Sequence, residues 1–187
     1  MDEHDLEIPV IETERYRLRG LTLEDTNAIF PFMSNKETMK YITPHPVKTE
    51  QELRAQLQGY VEAYKKRKLI PWVIIDKSNL AIIGVFRFHK LNLWHKKAEM
   101  GVVIHKDYQR SGVMTEVLME ILAYGFNDLG LNRIVGDIFA DNQGSKRLLM
   151  KYGFKMEGRL RETDFDGVHY HDTEVYALLK SEYHPPF

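Results

Sequence analysis

The chain has no cysteine. Disulfides and zinc–thiolate sites are therefore excluded, and any acyl transfer must run directly or through a nucleophile other than sulfur. It has no long apolar run either, since none approaches the roughly 18–20 residues a membrane helix needs. Charge of one sign is not in excess: 26 Lys and Arg stand against 27 Asp and Glu, for a net charge of −1. No overall basic field exists to gather nucleic acid or anionic lipid. The first residues, Met1–Glu7, are acidic and polar, which is the wrong composition for a secretion signal, so a cytoplasmic protein is expected. Gly-x-Ser-x-Gly, a Walker phosphate loop and a Rossmann glycine fingerprint are all missing, which leaves hydrolase, kinase and dehydrogenase readings without support.

What is present suits a globular α/β protein. The 187 residues, 43% hydrophobic, are enough for one domain with a sizeable core, here taken as 1–187 with an arm at 1–10 and a tail at 184–187. Arg15–Leu21 alternates like a strand. Thr22 opens a helix to about Met33, and Asn35–Tyr41 is a further short helix. Thr49 caps a longer one that runs to about Arg67, with Leu53, Leu57, Tyr60, Val61 and Tyr64 at helical spacing. Pro71–Asp76 and Leu80–Phe88 read as a hairpin pair. Ala98–His105 is a strand, Thr115–Leu129 a helix closed by Gly130, and Arg133–Ala140 a strand. Asp141–Ser145 opens the last helix. Phe154–Asp166 and His169–Lys180 are the closing strands, turned at Asp166-Gly167. The strand–helix–strand piece Ala98–Ala140 predicts a right-handed parallel crossover within a mixed sheet. Ligands tend to bind at the C-terminal ends of such strands.

One stretch stands out, His105–Glu116. An apolar strand leads into it and a helix leads out, with Gly112 at the junction. The first turn of a helix has unpaired N–H groups, which makes it a ready anion site. A hydrogen bond to a charged group contributes about 1.5–3 kcal/mol. The helix dipole adds only about 0.3–1 kcal/mol in an exposed setting. If a phosphate sits here, directed amides do most of the holding. Spacing alone is also compatible with a turn that binds nothing.

The wording of the stretch is more particular. Gln109-Arg110-Ser111-Gly112-Val113-Met114 resembles the Gln/Arg-x-x-Gly-x-Gly/Ala loop of the GCN5-related N-acetyltransferases (GNAT), which binds the pyrophosphate of coenzyme A. Met114 stands where Gly or Ala is usual, so its side chain must point away from the phosphates. Three further stretches match the same family in the same order. Ala98-Glu-Met-Gly-Val-Val-Ile104 resembles the strand before the loop. Asp141–Gly158 resembles the Asn-x-x-Ser helix followed by Gly-Phe-x-x-Glu-Gly. Asp166–Tyr176 resembles the closing hairpin of the ribosomal-protein N-terminal acetyltransferase branch.

The resemblance implies a single-domain GNAT fold, with a mixed, mostly antiparallel sheet. Two parallel central strands splay apart and flanking helices cover the sheet. It also implies acetyl-CoA as cosubstrate, no metal, and direct transfer to a primary amine. Ile104, His105, Gln109, Arg110, Ser111, Gly112, Val113, Met114, Thr115, Asn142 and Ser145 are the residues it assigns to the cofactor. Asn142 would bind the pantetheine amide, Ser145 would protonate the departing sulfur, and the N–H groups near Ile104 and His105 would serve the oxyanion. Two acids compete as base: Glu99, on a strand face with Gly101 and Val103, and Asp164, where the ribosomal branch carries an acid. Each could equally be a structural carboxylate paired with a lysine or arginine, such as Arg159 or Arg161. An α-amine of pKa ~7.8 costs about 1 kcal/mol to deprotonate at pH 7, against about 4.6 for a lysine of pKa ~10.4. A peptide N-terminus thus needs little more than an ordered water.

The acceptor is expected to be a protein N-terminal α-amine. Alternatives are a small amine such as a polyamine, an amino acid or an antibiotic, or no acceptor at all in a non-catalytic coenzyme A sensor. A monomer or homodimer, without nucleic-acid or membrane partner, is expected. His169 and His171 offer half a metal site with no evident third ligand, and His45, Trp94 and His95 are candidates to line an acceptor groove.

Overall fold

The computed structural model describes residues 7–185. Eight strands form one sheet: β1 (Ile11–Glu12), β2 (Tyr16–Gly20), β3 (Ile70–Asp76), β4 (Ile82–Asn92), β5 (Lys97–Ile104), β6 (Arg133–Phe139), β7 (Lys155–Phe165) and β8 (Tyr170–Leu179). Their order across the sheet is β1-β2-β3-β4-β5-β6-β8-β7. Five helices cover it: α1 (Thr26–Met33), α2 (Lys36–Met39), α3 (Glu50–Lys65), α4 (Val113–Ala123) and α5 (Gln143–Lys151). Every strand pair is antiparallel except β5 with β6. Strand β1 escaped the sequence reading because two residues cannot display a period.

Alternation along the strands gives the sheet two apolar faces. On one, Leu18, Trp72, Ile83, Phe86 and Phe88 meet Val117, Leu118, Ile121 and Leu122 of α4 and Leu149 of α5. On the other, Val73, Val85 and Val103 meet Ile29, Phe32 and Met33 of α1 and Leu53 and Leu57 of α3. The four α4 side chains named are fully buried, which contributes about 1.5–3 kcal/mol each and fixes the helix that carries the His105–Glu116 loop.

Three differences from the sequence reading have local causes. The α4 helix ends at Ala123 and a π turn, Tyr124–Asp128, carries the chain on. Gly125 lies so close to Ile134 and Phe88 that an added Cβ would sit 2.9 and 3.2 Å from them, so the turn widens against the sheet. Thr22 leads first into a short 3-10 turn, and Asp25 accepts its N–H at 2.8 Å before α1 begins. The arm is not loose where it is described: the Trp72 indole donates to the Pro9 carbonyl at 2.9 Å, and Ile8 packs on Gly20. Met1–Leu6, Pro186 and Phe187 lie outside the described residues.

Candidate active site

Strands β5 and β6 run parallel but pair only at their starts: Lys97 with Arg133, Ala98 with Ile134 and Glu99 with Val135. Beyond Glu99 and Val135 they part. The polarity of the parted edges follows from neighbouring bonds. His105 donates its N–H to the Ile83 carbonyl at 2.8 Å, which turns the odd-numbered residues of β5 toward β4. Met100, Val102 and Ile104 therefore aim their main-chain groups into the split. On β6, Lys180 donates to Asn132 and Ala140 to Asp172, each at 2.9 Å, so the even residues face β8. Asp137 and Phe139 aim theirs into the split from the other side. A gap edged by strand groups that are not paired across it can accept an extended, amide-bearing chain as an added strand.

The split opens onto the loop before α4. A 3-10 turn, Lys106–Tyr108, follows β5, and the loop is tied by Gln109 Nε2 to the Ile104 carbonyl at 2.9 Å and Ser111 Oγ to the Tyr108 carbonyl at 2.6 Å. Arg110 and Gly112 both take positive φ, +62° and +85°, which turns successive amides to one side. Gly112 is the residue before α4, and Glu116 makes the first helical bond back to it at 3.2 Å. Among the described residues, no N–H from Arg110 to Thr115 is donated to a protein acceptor. These six N–H groups form a candidate anion cradle. Met114 points away from it and packs against the core. The turn is braced from the β1–β2 connection: the Glu116 carboxylate receives the Arg15 guanidinium and N–H, each at 2.7 Å, and the Thr13 hydroxyl at 2.6 Å. Burial pushes Glu116 up, but these donors outweigh it and hold the carboxyl below its ordinary range.

The other predicted residues fall around the split. Asn142 caps α5, its side-chain oxygen accepting the Ser145 N–H at 3.1 Å. The Ser145 hydroxyl is half-buried and makes no hydrogen bond among the described residues. The His105 N–H is spent on Ile83 and the Ile104 carbonyl on Gln109, so His105 is removed as an oxyanion donor, while the Ile104 N–H remains. Glu99 pairs with Lys90 at 2.8 Å, and Asp164 accepts from the Thr173 hydroxyl at 3.1 Å. Arg159 pairs with Asp172 instead.

The face of the sheet opposite α5 carries two adjoining cavities that share Thr43. The outer one, about 450 Å³, lies between α2, the 43–46 loop and the β7–β8 turn, with Phe139 and Asp164 in its lining. The inner one, about 260 Å³, reaches Arg87 and Val103 and includes His45. Trp94 and His95 line neither; they sit exposed in the β4–β5 turn. His171 stacks on Phe139 and bonds Asp166 at 2.6 Å, while His169 lies in the turn before β8. The two histidines do not share a strand face, and among the described residues no cluster of three or more potential ligands surrounds them.

Sequence reading missed two side chains here, Asp137 and Arg87. Asp137 is on β6, two residues past the last pair, and burial first and the Glu99 charge second push its carboxyl up. Arg87 breaks an otherwise apolar run, Ile82–Phe88, and that interruption was the available signal.

The Acetyltransferase (GNAT) domain family matches residues 15–155. An uncharacterised N-acetyltransferase of Bacillus subtilis strain 168, YoaA, is 36% identical over 172 residues, 92% of this chain and 97% of that one. The ribosomal-protein-serine acetyltransferase of Escherichia coli K12 is 27% identical over 136 residues, 73% and 75% of the two chains. Among solved structures, spermidine N-acetyltransferase from Vibrio cholerae with coenzyme A and spermine superposes with a TM-score of 0.81 at 25% identity, covering 90% and 98%.

Proposed function

The chain belongs to the GNAT family of acetyl-CoA-dependent N-acetyltransferases, and from that premise we propose that it acetylates the α-amine of a peptide N-terminus. The observation that carries this reading is the shape of the acceptor side. Two adjoining cavities make an extended groove, and among the described residues its inner half has no carboxylate in its lining to hold a polycation, the acids Glu37, Asp164 and Asp166 being confined to the outer half. The spermidine relative favours a polyamine as the second reading, and the carboxylate-free inner cavity is the feature that counts against it.

Bound acetyl-CoA supplies the thioester. The amides of Arg110–Thr115 hold its pyrophosphate, and Gly112 lets them approach. Met100, Val102, Asp137 and Phe139 present main-chain groups to the pantetheine arm, with the Asn142 side chain beside it. The Ile104 N–H is the remaining candidate for polarising the thioester carbonyl. The Ser145 hydroxyl, with no protein partner, donates a proton to the departing sulfur. A thiol of pKa ~8.5 is a fair leaving group, so a weak acid suffices there. Asp164 and Glu99 lie on the acceptor face, and either one, through water, takes the proton that the amine loses. Alignment of amine and thioester across the split supplies much of the rate.

Thiol release from acetyl-CoA, followed against N-terminal peptides, polyamines and other small amines, tests the reading. Peptides should be turned over in preference. Turnover of polyamines alone would overturn it, and uptake of coenzyme A without any turnover would leave a sensor.

A further inference from the structure

Arg87 lies on β4 directly opposite Gly101 of β5. Its guanidinium covers that glycine: an added Cβ at residue 101 would meet Cζ at 3.1 Å and Nε and Nη2 at 3.2 Å. Its other contact is with the Tyr60 ring, 5.3 Å to the centroid. Among the described residues it makes no hydrogen bond and no ion pair, although it is half-buried. Four other arginines do differently. Arg15 meets Glu116, Arg19 meets Asp25, and Arg133 and Arg159 meet Glu157 and Asp172.

Among the described residues, the inner cavity above Arg87 has no acidic side chain in its lining. Met33, Met39, Ile42, Val47 and Val103 are apolar, and Thr43, His45 and Gln56 complete the lining. The field of Arg87 reaches its neighbour on β4: burial first and Arg87 second hold the His89 imidazole below its ordinary pKa. A half-buried cation with no anion beside it among the described residues, in a cavity that also reaches Val103 of β5, can receive an anion. Gly101 is two residues past the last β5–β6 pair. A group held by Arg87 therefore sits about one strand spacing, roughly 4.8 Å, from the split.

We infer that the acceptor is an α-amine compound carrying a carboxylate close to that amine, and that Arg87 is the residue that selects it. The inference rests on the α-amine reading above and narrows it. The carboxylate is either the α-carboxylate of a free amino acid or the side chain of an Asp or Glu that begins a peptide. The guanidinium fork fits a carboxylate with two parallel bonds, which orients the neighbouring amine toward the split. The same charge disfavours the ammonium form of that amine and so enlarges the fraction able to attack. A polyamine meets repulsion at this point instead.

The test is thiol release by the full chain with matched acceptors. One set is Glu-initial and Gln-initial peptides that are otherwise identical. The other is a free amino acid and its amide. The carboxylate member should win by about tenfold or more in kcat/KM in at least one set, the set identifying the source. In Arg87→Gln that ratio should fall toward one, with Arg87→Lys intermediate. Equal turnover within both sets, or a ratio unchanged in Arg87→Gln, overturns the inference while leaving the α-amine reading intact. Turnover confined to polyamines overturns both. Because the ratio in the unaltered protein decides the first point, poor folding of a variant does not shelter the idea.

Discussion

The two sides of the β5–β6 split are built from different materials. On the proposed cofactor side the groups offered are main-chain: amides from Arg110 to Thr115, and strand edges at Met100, Val102, Asp137 and Phe139. On the acceptor side they are side chains, drawn from α2, the 43–46 loop, β4, β6 and the β7–β8 hairpin. A main-chain site depends on backbone conformation and tolerates most side-chain change. A side-chain site changes its ligand with each substitution. Relatives whose names specify ribosomal protein and spermidine share this fold, as expected if the acceptor is chosen by side chains.

The sharpest way to break the contrast is at Ser145, the one side chain asked to do chemistry from the cofactor side. Ser145→Ala should lower kcat about a hundredfold, at the low end for proton transfer because the leaving thiol is already a fair one. Calorimetric uptake of coenzyme A should be unchanged. A variant that turns over normally would leave the sulfur protonated by water. Gly112→Val should come next. A β-branched residue at φ +85° costs about 1–2 kcal/mol, and its Cβ would lie 3.2 Å from Arg15 Nη2. Coenzyme A affinity should fall about tenfold by calorimetry, a direct reading of how far the site is conformational. Met114→Ala is the matching small effect. Because that side chain packs into the core and not toward the cradle, affinity should stay within about twofold, with some loss of thermal stability. A large gain in affinity would mean that the methionine obstructs the phosphates.

The same division governs what could be read from the sequence. The cradle was legible because its demands are local and consecutive: a strand end, a turn, a glycine and a helix start within twelve residues. Helix α3 and the closing hairpin were legible for like reasons, Thr49 accepting the Glu52 N–H at 3.1 Å and Gly167 taking φ +99° in the turn. The acceptor groove was not. Thr43, Arg87, Phe139 and Asp164 come from distant parts of the chain, and no spacing rule links them. His45 lines the inner cavity, whereas Trp94 and His95 line neither cavity, since a polar turn gives no sign of which way it faces. The His105 amide was misassigned because its use by Ile83 is decided by strand register, which a single strand does not reveal.

The central claim is that coenzyme A lies in the split, gripped by main-chain groups of both strands and the loop. Residue-resolved amide hydrogen exchange of the full chain, with and without coenzyme A, tests it most directly. The account predicts new protection at Arg110–Thr115 and at Met100, Val102, Ile104, Asp137 and Phe139. It predicts little change at Gly101, Val103 and His105, whose amides already face β4. Protection of both sets alike, or of neither, would contradict it.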